Sequence, residues 1–435
     1  MKKYLAGVAF AALIGGCASA ADLKSDIAAD YDYLEKLYIH LHQNPELSLQ
    51  EEKTSARMAA ELQKAGFEVT SNFGGYGVVA VMKNGDGPTV LIRADMDGLP
   101  VPEQTGLEYA SKATATDEGG ETVPVMHACG HDVHMTSFIG AARRLAAMKA
   151  DWSGTLVMVA QPAEEQVKGA AAMLKEGLFS KFPKPDYNLA LHVTPDMKAG
   201  DIGMVSGYAL ANVDSADIEI HGIGGHGAYP HTTKDPVVLG AYIVTALQTL
   251  VARETSPFES GVVTVGSIHA GTKHNIISNK AHLQITIRSY SDEVRANLKA
   301  GIERIARGQA IAFGLPEELM PEVTFSEGMT STYNDPGLTE RIYKALDEKL
   351  GDERVYDGTP VMAAEDFSLF GRTEDKIPSL MLWLGATDAA TMEKVEAGEM
   401  RAPGLHSPFF KPDREPTIKG GVEGMTQAAL ELLGK

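Results

Sequence analysis

Three observations predict an α/β fold for this chain of 435 residues. From Asp22 to about Gly203, stretches with apolar residues at helical spacing alternate with short apolar runs of strand length. Between about Ser206 and Ser326 the rhythm changes to strand, helix, two strands, helix, strand. From about Tyr333 the first style resumes. Strands separated by helices build a mainly parallel sheet covered on both faces. The βαββαβ order of the middle segment is that of a split, ferredoxin-like unit. The chain therefore reads as one α/β domain made of residues 21–205 and 327–435, with 206–326 inserted as a second domain and 1–20 set apart as a leader.

In the first half, Leu34–Leu41, Glu51–Ala65 and Asp132–Lys149 are expected as helices, the last on the spacing of Met135, Phe138, Leu145 and Met148. Gly77–Met82, Thr89–Ile92, Thr155–Ala160 and Asn188–Leu191 are expected as strands. In the insert, Asp217–His221, Val262–Ile268, His282–Arg288 and Val323–Phe325 are the strands. Its helices are Asp235–Arg253, with Pro236 suited to a first turn, and a second one capped by Ser291 and running to about Phe313. Helix Leu338–Leu350, strand Leu380–Leu384 and helix Thr417–Leu433 complete the chain.

Composition narrows the function. With 44% hydrophobic and 22% charged residues, neither disorder nor a polytopic membrane protein fits. A formal charge of −19 argues against nucleic acid, which needs a basic face. At the start, Lys2 and Lys3, an apolar run Tyr4–Ile14 and Ala18-Ser19-Ala20 read as an export signal cleaved after Ala20. The run is too short to span a membrane, which takes about 20 residues, and no later segment is expected to span. Ile14-Gly15-Gly16-Cys17 also resembles a lipoprotein box, so a lipid anchor through Cys17 is the alternative to a soluble periplasmic protein. After cleavage Cys129 is the sole thiol, with no disulfide to form; it is either buried and inert or chemically employed.

The unusual polar clusters fall just past predicted strands: Asp95 and Asp97, Glu164 and Glu165, and His192. In open α/β sheets ligands bind beyond the carboxyl ends of the strands. Helix caps and turn acids would account for each cluster alone, but not for their shared placement. His127-Ala128-Cys129-Gly130-His131-Asp132-Val133-His134 packs a thiol among imidazoles, a donor set for a borderline-soft divalent ion. A carboxylate such as Asp132 or Asp97 can orient a ligating imidazole. Adjacent Glu164 and Glu165 would point to opposite sides of an extended backbone. One is then free to bind metal and the other to act as general base; spacing does not say which. Gly222-Ile223-Gly224-Gly225-His226-Gly227 formally matches a dinucleotide fingerprint, but no helix opens behind it, so it reads as a turn presenting His226. Ser407 beside His406 suggests a serine hydrolase, yet the chain has no GxSxG elbow.

Asp95–Pro100, Met126–His134, Gln161–Glu165, Gly222–His231, Ala364-Glu365-Asp366-Phe367 and Leu405–Pro408 together resemble the peptidase M20 family, in its aminoacylase, hippurate hydrolase and auxin-conjugate hydrolase branch. The likeness runs in order from about Tyr33 to Leu433. It implies two divalent ions held by Cys129, His131, Glu165, His192 and His406; thiolate and imidazole suit zinc, and a site that adds a carboxylate would accept manganese, with cobalt or nickel as alternatives. It makes Glu164 the general base and Asp97 an orienting carboxylate. The insert becomes a lid that also forms a homodimer, with His226 stabilising the oxyanion in the partner's site, and Asn275 and Arg288 contacting the substrate. Gly98 replaces the branch's usual alanine, and Asp388–Pro403 is long and charged for the family. The implied activity is hydrolysis of N-acyl amino acids to a carboxylate and a free amino acid. A dipeptidase or carboxypeptidase on the same fold, or a silent periplasmic binding protein, is the alternative.

Overall fold

The computed structural model describes residues 20–434 apart from Glu327; residues 1–19 of the expected leader, with Cys17, lie outside the described residues. In chain order the first half places helix α1 (Ala20–Gln43), α2 (Glu52–Lys64), strands β1 (Glu68–Ser71), β2 (Val78–Asn84) and β3 (Thr89–Asp95), helix α3 (His131–Ala147), and strands β4 (Gly154–Gln161), β5 (Tyr187–Lys198) and β6 (Ile202–Met204). The insert contributes β7 (Asn212–His221), α4 (Pro236–Thr249), β8 (Gly261–Ala270), β9 (Lys280–Ser289), α5 (Asp292–Ala312) and β10 (Glu322–Phe325). The chain closes with α6 (Pro336–Leu350), β11 (Val355–Asp357), β12 (Ser379–Thr387), α7 (Ala389–Glu396) and α8 (Arg414–Leu433).

The main sheet has eight strands in the order β1-β2-β4-β3-β5-β12-β6-β11. Its centre, from β4 through β3 and β5 to β12, is parallel, as the alternation of strands and helices predicts. The edges turn antiparallel, at β1 and β2 and again where β12 meets β6. Apolar side chains on one face pack with α1, α3, α6 and α8 into the largest core, and those on the other meet Phe367, Phe370 and Trp383 in a smaller one. The central strands are buried on both faces, so they read as continuous apolar runs rather than alternating ones.

The insert forms an antiparallel four-stranded sheet of order β8-β9-β7-β10. That is the ferredoxin-like arrangement expected from the βαββαβ rhythm, with α4 and α5 closing a core of its own. Asp235 and Ser291 cap α4 and α5 through the amides of Val237 and Val294. Contrary to the expectation that no later segment could span, Pro236–Glu254 is long and apolar enough by length and composition to cross a membrane. One side of it, Leu239, Ile243, Leu247 and Leu250, is buried on the insert's sheet, while Val237, Val238 and Tyr242 are exposed. β6 and β11 escaped the sequence reading because each is only three residues long.

Candidate metal centre

Loops at the carboxyl ends of β3 and β4, the start of α3, mid-strand β5 and a distant loop bring the site together. Cys129 and His131 flank Gly130, which has φ +79° and leads into α3. A side chain there would put a Cβ 2.5 Å from Val193, so only glycine lets the thiol and imidazole approach β5 so closely. His192 lies within β5 rather than after it, paired in register with Trp383 of β12. His406 reaches the site from the far end of the chain, with Nε2 3.5 Å from Glu165 Oε2.

Hydrogen bonds settle which ring nitrogens are free. His131 Nδ1 donates to the carbonyl of Asp97 at 2.8 Å, and His192 Nδ1 to that of Val193 at 2.8 Å. A carbonyl only accepts, so both rings present Nε2 to the centre. His192 Nε2 lies 3.5 Å from Cys129 Sγ. His131 Nε2 and Glu165 Oε1 are buried without hydrogen-bond partners. Cys129, His131 and His192 have donor atoms within 4.8 Å of one another, as do Cys129, Glu165 and His406. An orphaned buried imidazole nitrogen and carboxylate oxygen, gathered with a thiol and further imidazoles, fit a divalent metal ion.

Charge points the same way. Burial works against a charged His131, yet Asp95, Asp97 and Glu165 lift it to about 10. The cluster therefore demands positive charge. Burial, opposed by His131, pushes Glu165 up to about 7. Glu164 is driven well above the usual carboxylate range by burial and by Glu365, Glu165 and Asp366. Burial and the same glutamates also push the Cys129 thiol up.

Glu164 and Glu165 depart from the expected extended backbone. They sit in a tight turn after Ala163, whose φ is +50°, and both face the same way: His131 Nε2 is 3.9 Å from Glu164 Oε2 and 3.8 Å from Glu165 Oε1. Asp97 holds the turn, accepting from the amides of Glu164 at 3.2 Å and Glu165 at 3.0 Å. The hydroxyl of Ser48 donates to Asp97 at 2.6 Å. The two glutamates differ through their neighbours, Glu165 meeting His406 and Glu164 meeting Glu365 and Asp366.

His134 is excluded as a ligand. Its Nε2 accepts from the amide of Val193 at 2.9 Å, so Nδ1 carries the proton and donates to Asp95 at 2.6 Å. His127 is buried with neither ring nitrogen bonded and is held down to about 4 by burial.

The sequence reading passed over Arg93. Its side chain is fully buried and donates to Asp95 at 2.7 Å, Gln161 at 2.9 Å, Glu365 at 2.8 Å and Asp366 at 3.0 Å. This network ties β3, β4 and the 365–366 loop together behind Glu164. An arginine inside the apolar run Val90–Ala94 was the available signal, because such a charge is almost never buried unpaired.

Beside the centre lies a cavity of about 600 Å³ lined by Cys129, Glu164, Glu165, His192 and His406, with Arg288, Leu210, Val361, Trp383 and Leu405 among its walls. Arg288 reaches it from the insert, donating to the carbonyl of Met362 at 2.6 Å. Ala402 and Gly404 place the end of the charged segment 388–403 on the rim. His226 and Asn275 do not line this cavity. They lie together and exposed on a short ribbon, where His226 pairs with Ile276 and the amide of Gly227 donates to Asn275.

A parallel-centred sheet with an inserted antiparallel unit, and thiol, imidazole and carboxylate donors at its strand ends, defines the class of metal-binding α/β hydrolases. The chain belongs to peptidase family M20/M25/M40, whose model matches residues 91–402. It is 36% identical over 380 residues to the N-acetyldiaminopimelate deacetylase of Bacillus velezensis, covering 86% of this chain and 92% of that one. It is 35% identical over 368 residues to thermostable carboxypeptidase 2 of Saccharolobus solfataricus, covering 83% and 88%. Among solved structures, the Bacillus subtilis YXEP protein, described as a dinuclear metal-binding peptidase of the M20 family, superposes with a TM-score of 0.76 at 29% identity, covering 93% of this chain and 99% of that one. The protein is thus a metal-binding hydrolase acting on amide bonds.

Proposed function

We propose that this chain hydrolyses N-acyl amino acids to a carboxylate and a free amino acid, using two divalent ions held by Cys129, His131, Glu165, His192 and His406. The observation that carries this reading is the pairing of the donor cluster with Glu164 on one side of the cavity and Arg288 on its wall. When bound there, the ions would supply a Lewis acid for the amide carbonyl and would make the attacking water more acidic, toward a pKa of about 7. Glu164 takes the proton from the attacking water and returns it to the leaving nitrogen. Its high proton affinity, set by burial and by Glu365, suits it to hold that proton between the two steps. Arg288 pairs with the carboxylate of the amino-acid half, and the apolar wall of Leu210, Val361, Trp383 and Leu405 receives the acyl half.

His226 and Asn275, exposed and away from this cavity, serve a second copy of the chain. The apolar residues Val237, Val238 and Tyr242 of α4, with Ile268 and Ile276, supply a face for a homodimer through the insert. Export to the periplasm, with a soluble form or a Cys17 lipid anchor, completes the reading.

The test is a comparison of acyl amino acids with unacylated dipeptides, read as free amine. A higher kcat/KM for the acyl series supports the proposal. A higher value for dipeptides favours the peptidase reading, which the carboxypeptidase relative makes specific.

A further inference from the structure

A buried cluster beside the metal-site loops has no part in the reaction above. His42, near the end of α1, is 2% exposed. Its Nδ1 lies 2.7 Å from Asp132 Oδ2 and its Nε2 lies 3.1 Å from Glu103 Oε1. An ionised carboxylate can only accept, so both ring nitrogens donate and His42 is an imidazolium. Burial opposes that charge, but the bonds to Asp132 and Glu103 prevail and lift His42 to about 9. Tyr38 and Tyr109 close over the ring with centroids at 5.5 and 5.2 Å.

Each carboxylate leads to a different part of the metal centre. Asp132 directly follows His131, and its Oδ1 accepts from the amide of Val133 at 2.8 Å in the first turn of α3. Glu103 accepts from the amide of Ser111 at 2.6 Å and from the Thr105 hydroxyl, which fixes the 101–111 loop. The amide of Gln104, next in that loop, donates to the carbonyl of Pro408 at 2.7 Å. Pro408 ends the segment that carries His406. His406 has φ +62°, a left-handed conformation that a residue with a side chain keeps only where its surroundings impose it. The bond to Pro408 and a second from the His406 amide to the Ala128 carbonyl at 2.9 Å tie this turn to the rest of the chain, beside the local bond from the Ser407 amide to the Gly404 carbonyl.

We propose that His42 is a positioning residue for the metal centre, clamping Asp132 beside His131 and Glu103 beside the loop that braces His406. It touches neither ion nor substrate. It joins His131 and His406, which are remote in sequence, and holds them at one spacing. The inference rests on the metal-centre reading, not on the identity of the substrate.

The experiment is calorimetric titration of Zn²⁺ or Mn²⁺ into the metal-stripped mature chain, with circular dichroism to establish folding. Glu103→Ala is expected to fold and to bind one ion normally and the other roughly 10- to 100-fold more weakly, with turnover restored by excess metal. Glu103→Gln keeps a single acceptor oxygen, enough for His42, but turns its NH2 toward the Ser111 amide that Oε2 now accepts, so its second-ion affinity is expected to lie between Glu103→Ala and wild type. His42→Ala should show at least the defect of Glu103→Ala; if it fails to fold, the Glu103 pair decides. Wild-type affinity for both ions in folded Glu103→Ala overturns the positioning role alone. A wild-type chain that binds no ion overturns the metal centre and this role with it.

Discussion

His131 donates its Nδ1 proton to the main-chain carbonyl of Asp97 at 2.8 Å, leaving Nε2 buried and unpartnered toward Glu164 and Glu165. One bond thus fixes tautomer, ring orientation and the direction from which an ion can be held. Asp97 also receives the amides of both glutamates, so a single residue aligns the His131 ring and the turn that carries Glu164 and Glu165.

Glu164→Gln should retain its metal and lose turnover by roughly 10²- to 10⁴-fold, the range of general acid–base catalysis. Metal analysis beside kcat checks this. Retained activity would remove Glu164 as the base.

Cys129→Ala should bind less metal per chain, because its thiol stands 3.5 Å from His192 and within reach of Glu165 and His406. Mass-spectrometric stoichiometry gives the answer. An unchanged ratio would take Cys129 off the ligand set.

Arg93→Met leaves Asp95, Glu365 and Asp366 without their buried countercharge. Breaking such a network costs about 3–5 kcal/mol. Urea unfolding of the variant should show a loss of that size; a change below about 1 kcal/mol would contradict the account.

His42 should make stability fall on the alkaline side. Its pKa is raised from about 6.5 when unfolded to about 9 when folded, through Asp132 and Glu103. The stabilisation is therefore complete below the unfolded value and is lost as pH rises through the folded one. At about 1.4 kcal/mol per unit this is on the order of 3 kcal/mol. Denaturation midpoints from pH 6 to 10 should decline in wild type and decline less steeply in His42→Gln, where the raised His131 still contributes.

If His226 acts across a dimer, inactive His226→Ala and Glu164→Gln chains should recover activity when mixed and reassembled. Mixed dimers would hold one intact site, so recovery should approach about a quarter of wild type by random pairing. Mixtures that stay silent would place His226 in its own chain's site or outside the reaction.

Much of the fold was legible because long elements carry their own periodicity. The helices α3 and α5 and the central strands fall where apolar spacing puts them. The edges of the main sheet were not, since three-residue strands such as β6 carry too little pattern. Cys129, His131, Glu165, His192 and His406 do converge, but His406 could be joined to the others only by the resemblance, since nothing local links it to residues over 200 positions away. Glu164 and Glu165 face the same way, where an extended backbone would oppose them, because the chain turns at Ala163. Arg93 and His42 were invisible as a frame, because what each does depends on carboxylates remote in sequence.

The most direct measurement is free-amine release from N-acyl amino acids by the metal-stripped protein, with Zn²⁺, Mn²⁺, Co²⁺ or Ni²⁺ added back singly. The account predicts no release without metal and cleavage restored by at least one ion, faster for acyl amino acids than for dipeptides. Silence across the acyl series in protein shown to hold two ions, or ligand binding that ignores metal, would contradict it.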